Sequence, residues 1–143
     1  MFTQIPHCFT IQSCWGHFVH EFQTDVRNLH PVAWYAGMIE RVEYRLAYLA
    51  FCIQWSRAGE KLYRDLESLT ELDSEYIQFG CAEWFWDNDY LNSYVVQVEP
   101  GWGMERDIIW VKMEEAIHLE QLKNKMFWEL EKIARYHQIG GVL

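Results

Sequence analysis

Between Asp65 and Glu105 the chain contains no lysine and no arginine. Ten acidic side chains fall in that stretch: Asp65, Glu67, Glu71, Asp73, Glu75, Glu83, Asp87, Asp89, Glu99 and Glu105. The rest of the chain nearly balances, 12 basic groups against 11 acidic, so the formal net charge of −9 is concentrated in one block. The lack of positive charge argues against direct binding of DNA, RNA or an anionic membrane face, each of which calls on Lys and Arg. It favours a basic protein partner, or solubility alone.

Other absences narrow the class further. The start, MFTQIPHCFTIQSC, has no basic n-region and no continuous apolar core, so no secretory leader is expected. No stretch approaches the roughly 20 apolar residues that cross a bilayer; the longest apolar segment, 46–55, is broken by Gln54. Cys8, Cys14, Cys52 and Cys81 are therefore expected to be free thiols in a cytoplasmic protein. There is no nucleophile elbow, phosphate loop or dinucleotide fingerprint, no internal repeat and no low-complexity segment. Cys81 follows Gly80, but its acidic surroundings disfavour a thiolate. Nothing assembles a nucleophile, a base and oxyanion donors, so a non-enzymatic role without a cofactor is the expectation.

What the chain does contain is aromatic side chains: eight Trp, eight Tyr and eight Phe in 143 residues that are 50% apolar. That suffices for one domain, residues 1–143, with a core built from large rings. The acidic block itself carries Tyr76, Phe79, Trp84, Phe85, Trp86, Tyr90, Tyr94 and Trp102. A polyacidic tail would be disordered; this block can fold and present a fixed negative surface.

Spacing suggests a mostly α fold, a bundle of about four helices with one short β element near 94–98. Ile11, Trp15, Phe18, Phe22 and Val26 follow a helical rhythm over 9–27. Tyr35, Met38, Val42, Leu46, Leu49 and Ile53 form a stripe in a second helix from Pro31 towards Leu69, with a break at Ala58-Gly59. Thr70 with Asp73 suggests a cap for a short helix over 70–87. Asp87-Asn88-Asp89 reads as a turn, Tyr94–Val98 as a strand or extended loop, and Pro100–Gly103 as a turn. Ile108, Val111, Glu115, Leu119, Leu122, Met126, Leu130 and Ile133 form a near-heptad seam for a long helix over 104–138, with basic residues in its C-terminal half.

Three metal readings arise. Glu115-Ala-Ile-His118 is a Glu-x-x-His of the type that ligates iron in di-iron bundles, with Glu40 or Glu43 as further carboxylates; a second such motif is missing. His7, Cys8, Cys14, His17 and His20 offer zinc donors, Cys14 and His17 foremost, though at no standard finger spacing. Asp87, Asp89 and Asn92 fail the calcium-loop pattern, because the sixth position is Asn92 and the twelfth is Val98.

The acidic, aromatic block is the better functional candidate. Carboxylates at fixed intervals can occupy a groove of Lys and Arg that otherwise holds nucleic acid. The expected partner surface is Glu67, Glu71, Asp73, Glu75, Glu83, Asp87 and Asp89, with Tyr76, Trp86 and Tyr90 as anchors. Glu67, Glu71 and Glu75 share one face if a helix continues through Leu69-Thr70. The expectation is an inhibitor or adaptor that occludes a basic site, as phage anti-defence and bacterial immunity proteins do. The alternatives are a helical metal-binding protein using Glu115 and His118, and a structural subunit or homodimer joined along apolar helix faces.

Overall fold

The computed structural model describes residues 2–20, 23, 30–81, 93–100 and 108–138. The fold is mixed α/β: a five-stranded antiparallel sheet and two helices. The strands are β1 (Cys8–Val19), β2 (Arg41–Ile53), β3 (Ile77–Cys81), β4 (Ser93–Val98) and β5 (Ile108–Lys112). Helix α1 is Arg57–Glu67 and α2 is Met113–Gln138. Short 3-10 turns occupy Phe2–Gln4, Val32–Tyr35 and Ser68–Leu72.

The expected helical bundle is therefore corrected. Residues 9–19 of the stretch read as a first helix belong to β1; the second is divided between β2 (Arg41–Ile53) and α1 (Arg57–Glu67), the latter helical as expected; and the short helix expected over 70–87 is replaced, where described, by the end of the 3-10 turn and β3 (Ile77–Cys81). Arg41, Glu43 and Arg45 alternate with Val42, Tyr44 and Leu46, the period-two pattern of a half-buried strand. Beyond Leu46 the strand is apolar on both faces, which a helical template also fits. Ile108–Lys112, taken as the start of the long helix, is β5, with the alternation exposed–buried–exposed–buried–exposed. The element near 94–98 is a strand, but an interior one lying between β2 and β3. Helix α2 closely matches the expected C-terminal helix from Met113 onward.

β2 organises the sheet. β1 pairs along one edge, from Cys8↔Ile53 to Val19↔Glu43, with a bulge between Thr10 and Gln12. The other edge is shared: β4 pairs with Ala47–Cys52 and β5 with Arg41–Arg45. Tyr44 sits at the junction, fully buried; its hydroxyl donates to the Val98 carbonyl at 2.7 Å and accepts from the Ala47 amide at 3.1 Å. Burial removes the phenol from water and pushes its pKa up, an effect the Ala47 amide bond partly offsets. Opposite the junction Gly16 has φ +79, a conformation natural to glycine, and a Cβ there would lie 2.9 Å from the Ala47 Cβ.

The core lies between one sheet face and the helices. Val42, Phe51, Val96 and Val98 from the sheet meet Leu62 and Leu66 of α1 and Leu119, Met126 and Leu130 of α2. Burying each such side chain contributes about 1.5–3 kcal/mol. Helix α1 starts where Ser56, extended at φ −157, accepts the Gly59 amide at 3.0 Å. The expected break at Ala58-Gly59 is thus inside the first turn, and the chain bends earlier, after Ile53. Among the described residues no helix is long and apolar enough to cross a membrane.

Candidate interaction surface

Helix α1, the 3-10 turn after it and the turn leading to β3 carry five of the described acidic side chains of the block along α2; a sixth, Glu99, follows β4 and is buried. Two acid–histidine contacts fasten this segment. Asp65 accepts from His137 Nε2 at 2.8 Å, and Asp73 Oδ2 lies 3.3 Å from His118 Nε2. Both histidines belong to α2, so the segment is held at two points along one rigid rod.

The first contact continues inward. His137 Nδ1 lies 3.3 Å from His7 Nε2, so one of these two ring nitrogens donates to the other. Both rings are buried, packed edge to face at 5.3 Å. Burial, reinforced by His137, lowers the His7 pKa and keeps that ring neutral. The adjacent Cys8 thiol is pushed up to about 12 by burial and by nearby Cys52, so the chain of rings ends on no thiolate.

The second contact brings together residues that sequence reading assigned to two different functions. Asp73 and Tyr76 meet Glu115 and His118 at the start of α2. The Tyr76 hydroxyl donates to Glu115 at 3.4 Å and its ring packs on His118 at 4.9 Å. Desolvation raises the Tyr76 pKa, and the charges of Glu115, Glu75 and Asp73 raise it further. Asp73 Oδ1 also accepts the amides of Glu75 and Tyr76, at 3.0 and 3.2 Å. Asp73 and Tyr76 are thus brackets of the turn, half-buried.

The metal expectations fare differently from the aromatic ones. Glu43 lies on β2, opposite Trp110 of β5 and paired to Arg45, while the Glu40 carbonyl accepts the Met113 amide. Among the described residues no three His, Cys, Asp or Glu side chains form a metal-holding group, so neither Glu115 and His118 nor Cys14 and His17 gain the further ligands they need. Trp86, Tyr90, Glu83, Asp87 and Asp89 lie outside the described residues.

Glu67, Glu71 and Glu75 are exposed, and none makes an ion pair among the described residues. They do not share one helical face, because α1 gives way to the 3-10 turn at Ser68 and the chain extends at Asp73, φ −165. Beside α1 lies a cleft of about 500 Å³ lined by Trp55, Tyr63, Tyr94, Ile53 and Glu60. Tyr63 meets Tyr94 edge to face at 5.0 Å. Burial raises the Tyr63 pKa first, and the Glu67 charge next, which places that carboxylate near the cleft. Trp55 is 80% exposed, the most open of the large apolar side chains among the described residues. Its exposure escaped the sequence, where Trp55 reads as one more residue of an apolar run; Ser56 as helix cap was the available signal. Compared with protein families, with characterised proteins and with solved structures, the chain shows no match.

Proposed function

We propose that the protein is a small, non-enzymatic interaction protein that occludes a basic site on a partner, a site of the kind that holds nucleic acid. The observation that carries this reading is the trio of exposed carboxylates Glu67, Glu71 and Glu75, none of them ion-paired among the described residues, on a segment clamped to α2 by Asp65–His137 and Asp73–His118. A clamped segment loses little conformational freedom on binding, so charge attraction is not offset by ordering. Trp55, Tyr63 and Tyr94 supply a neighbouring apolar cleft for the aliphatic stems or cationic heads of partner Lys and Arg side chains. The four cysteines are free thiols, which suits a cytoplasmic setting.

The test is capture from nuclease-treated lysate on the immobilised full chain, at low and high salt, read by mass spectrometry. The reading expects a basic protein held at low salt, released at high salt, and lost with the triple variant Glu67→Gln, Glu71→Gln, Glu75→Gln. If the triple variant captures the same proteins as the parent, the acidic segment is not the interface and the proposal fails.

A further inference from the structure

The first turn of the chain is joined to the helices by two facing imidazoles. Phe2 and Ile5 are buried, and Phe2 stacks on Phe51 of β2 at 6.2 Å. The Ile5 amide bonds to the Phe2 carbonyl, the Cys8 amide to Ile5 and the Gln54 amide to His7, at 3.1, 3.3 and 2.8 Å. His7 ties this turn to the end of α2 through His137, 130 positions away. His137 in turn reaches Asp65 of α1 at 2.8 Å. Three elements thus meet at two buried rings and one carboxylate.

Such a junction holds a limited number of protons. The bond between His7 Nε2 and His137 Nδ1 needs a hydrogen on one nitrogen and a lone pair on the other. It survives with both rings neutral, and it survives with one ring charged. With both charged, each facing nitrogen carries a hydrogen, no lone pair remains, and two buried cations stand side by side. Asp65 decides which ring keeps its seat, because its carboxylate lies against His137 and, among the described residues, no carboxylate pairs with His7. The other groups around the pair give His7 no relief. From the helices, Lys61 lies 3.4 Å from Asp65 and over the Tyr136 ring, which packs edge-on to His137. From the strands come the buried thiols of Cys8 and Cys52, and Cys8, pushed up to about 12, is neutral. A buried cation without an anion is costly, and water is the cheaper place for it.

We propose that His7 and His137 form an acid-opened latch: when both rings are protonated, His7 leaves its seat and residues 2–7 lift from Phe51, while Asp65 keeps α2 fastened to α1. Opening uncovers an apolar seat at the end of β2 and leaves the sheet and helices folded. The lowered His7 pKa puts the opening below about pH 6.5. The latch does not depend on the role proposed for Glu67, Glu71 and Glu75.

The test is amide hydrogen exchange of the full chain, followed by NMR at about pH 7.5 and about pH 5.0, each rate divided by the intrinsic rate at that pH. The reporters are the amides of Ile5, Cys8 and Gln54, and the references are Leu122 and Met126 in the middle of α2. Protection at the reporters should fall about tenfold for each pH unit below the titration, as one proton taken up on opening requires. The references should keep theirs. His7→Gln presents an amide to His137 and takes up no proton, so its reporters should be indifferent to pH, and His137→Gln should behave alike. The latch is overturned if the parent's reporters stay protected at about pH 5.0, if they lose protection equally in His7→Gln, or if Leu122 and Met126 open together with them.

Discussion

Replacing Gly59 by alanine tests how tightly α1 is seated on the end of β2. In an isolated helix the change would help, because alanine exceeds glycine in helix propensity by about 1 kcal/mol. Here the added methyl would lie 1.9 Å from the Gln54 carbonyl oxygen and 3.0 Å from Ile53 Cγ2. The nearest atom is backbone, and the Gln54 amide is itself fixed by a 2.8 Å bond to the His7 carbonyl. Relief therefore requires moving the first turn of α1 away from the sheet, which also disturbs the Ser56 cap and the seat of the fully buried Leu62. Overpacking of this kind costs about 1–3 kcal/mol, and a rigid backbone neighbour puts it at the upper end. Set against the propensity gain, the expected result is a net loss of about 2 kcal/mol.

The assay is urea denaturation followed by tryptophan fluorescence and circular dichroism, with the midpoint read at constant slope. Gly80→Ala is the internal control. Gly80 lies in β3 with negative φ and no atom within 4 Å of a built Cβ among the described residues. There the substitution should be neutral or stabilise by up to about 1 kcal/mol. A Gly59→Ala protein as stable as the parent would refute the close approach of α1 to Gln54, and with it the cap geometry.

Two further outcomes follow from the polar contacts that clamp the acidic segment. The His7 pKa is lowered from its ordinary 6.5, so the unfolded chain takes up a proton there before the folded one does. Stability from this site is full above about pH 6.5 and is lost as pH falls below it; urea midpoints from about pH 7.5 to 5.5 should decline, and His7→Gln should flatten that decline. An unchanged slope in the variant would exclude His7 as the titrating group. Asp73→Ala removes the acceptor for two backbone amides and the partner of His118, and should cost about 1–2 kcal/mol in the same denaturation assay. A loss under about 0.5 kcal/mol, typical of surface positions, would return Asp73 to the set of exposed contact residues.

The misreading of the fold has a definite physical origin. Apolar residues on both faces of a strand leave no polar gap, so Leu46, Leu49 and Ile53 satisfy a helical stripe as readily as a sheet core. The sequence signal that separates the two is the alternation from Arg41 to Leu46, and it spans only six residues before the strand is buried on both sides. In β1 the bulge at Ile11 and the positive φ of Gly16 interrupt the period-two pattern. Helix α2 was legible because it is long and covers one side of the sheet, leaving a polar face to keep the 3.6 period visible. Its heptad seam holds for Leu119, Leu122, Met126 and Leu130, and gives out at Glu115, which turns to Tyr76.

The candidate surface was legible by charge and illegible by role. A carboxylate's formal charge is in the sequence; whether it faces solvent or a distant ring is decided by contacts across many residues. Asp65 meets His137 72 positions away and Asp73 meets His118 45 positions away, and no local pattern announces either pairing. The consequence is a division of labour within the acidic segment. Asp65 and Asp73 are spent internally on α2, and that fixes the backbone from which Glu67, Glu71 and Glu75 project. Neutralising the first pair would weaken binding by loosening the segment, whereas neutralising the exposed three would weaken it by removing the attraction itself. The second effect should diminish more steeply as salt is raised, because screening acts on exposed charge more than on half-buried pairs. A steeply salt-dependent loss in the Glu67, Glu71, Glu75 variant, beside a less salt-dependent loss in Asp73→Ala, is therefore the signature that separates contact from scaffold.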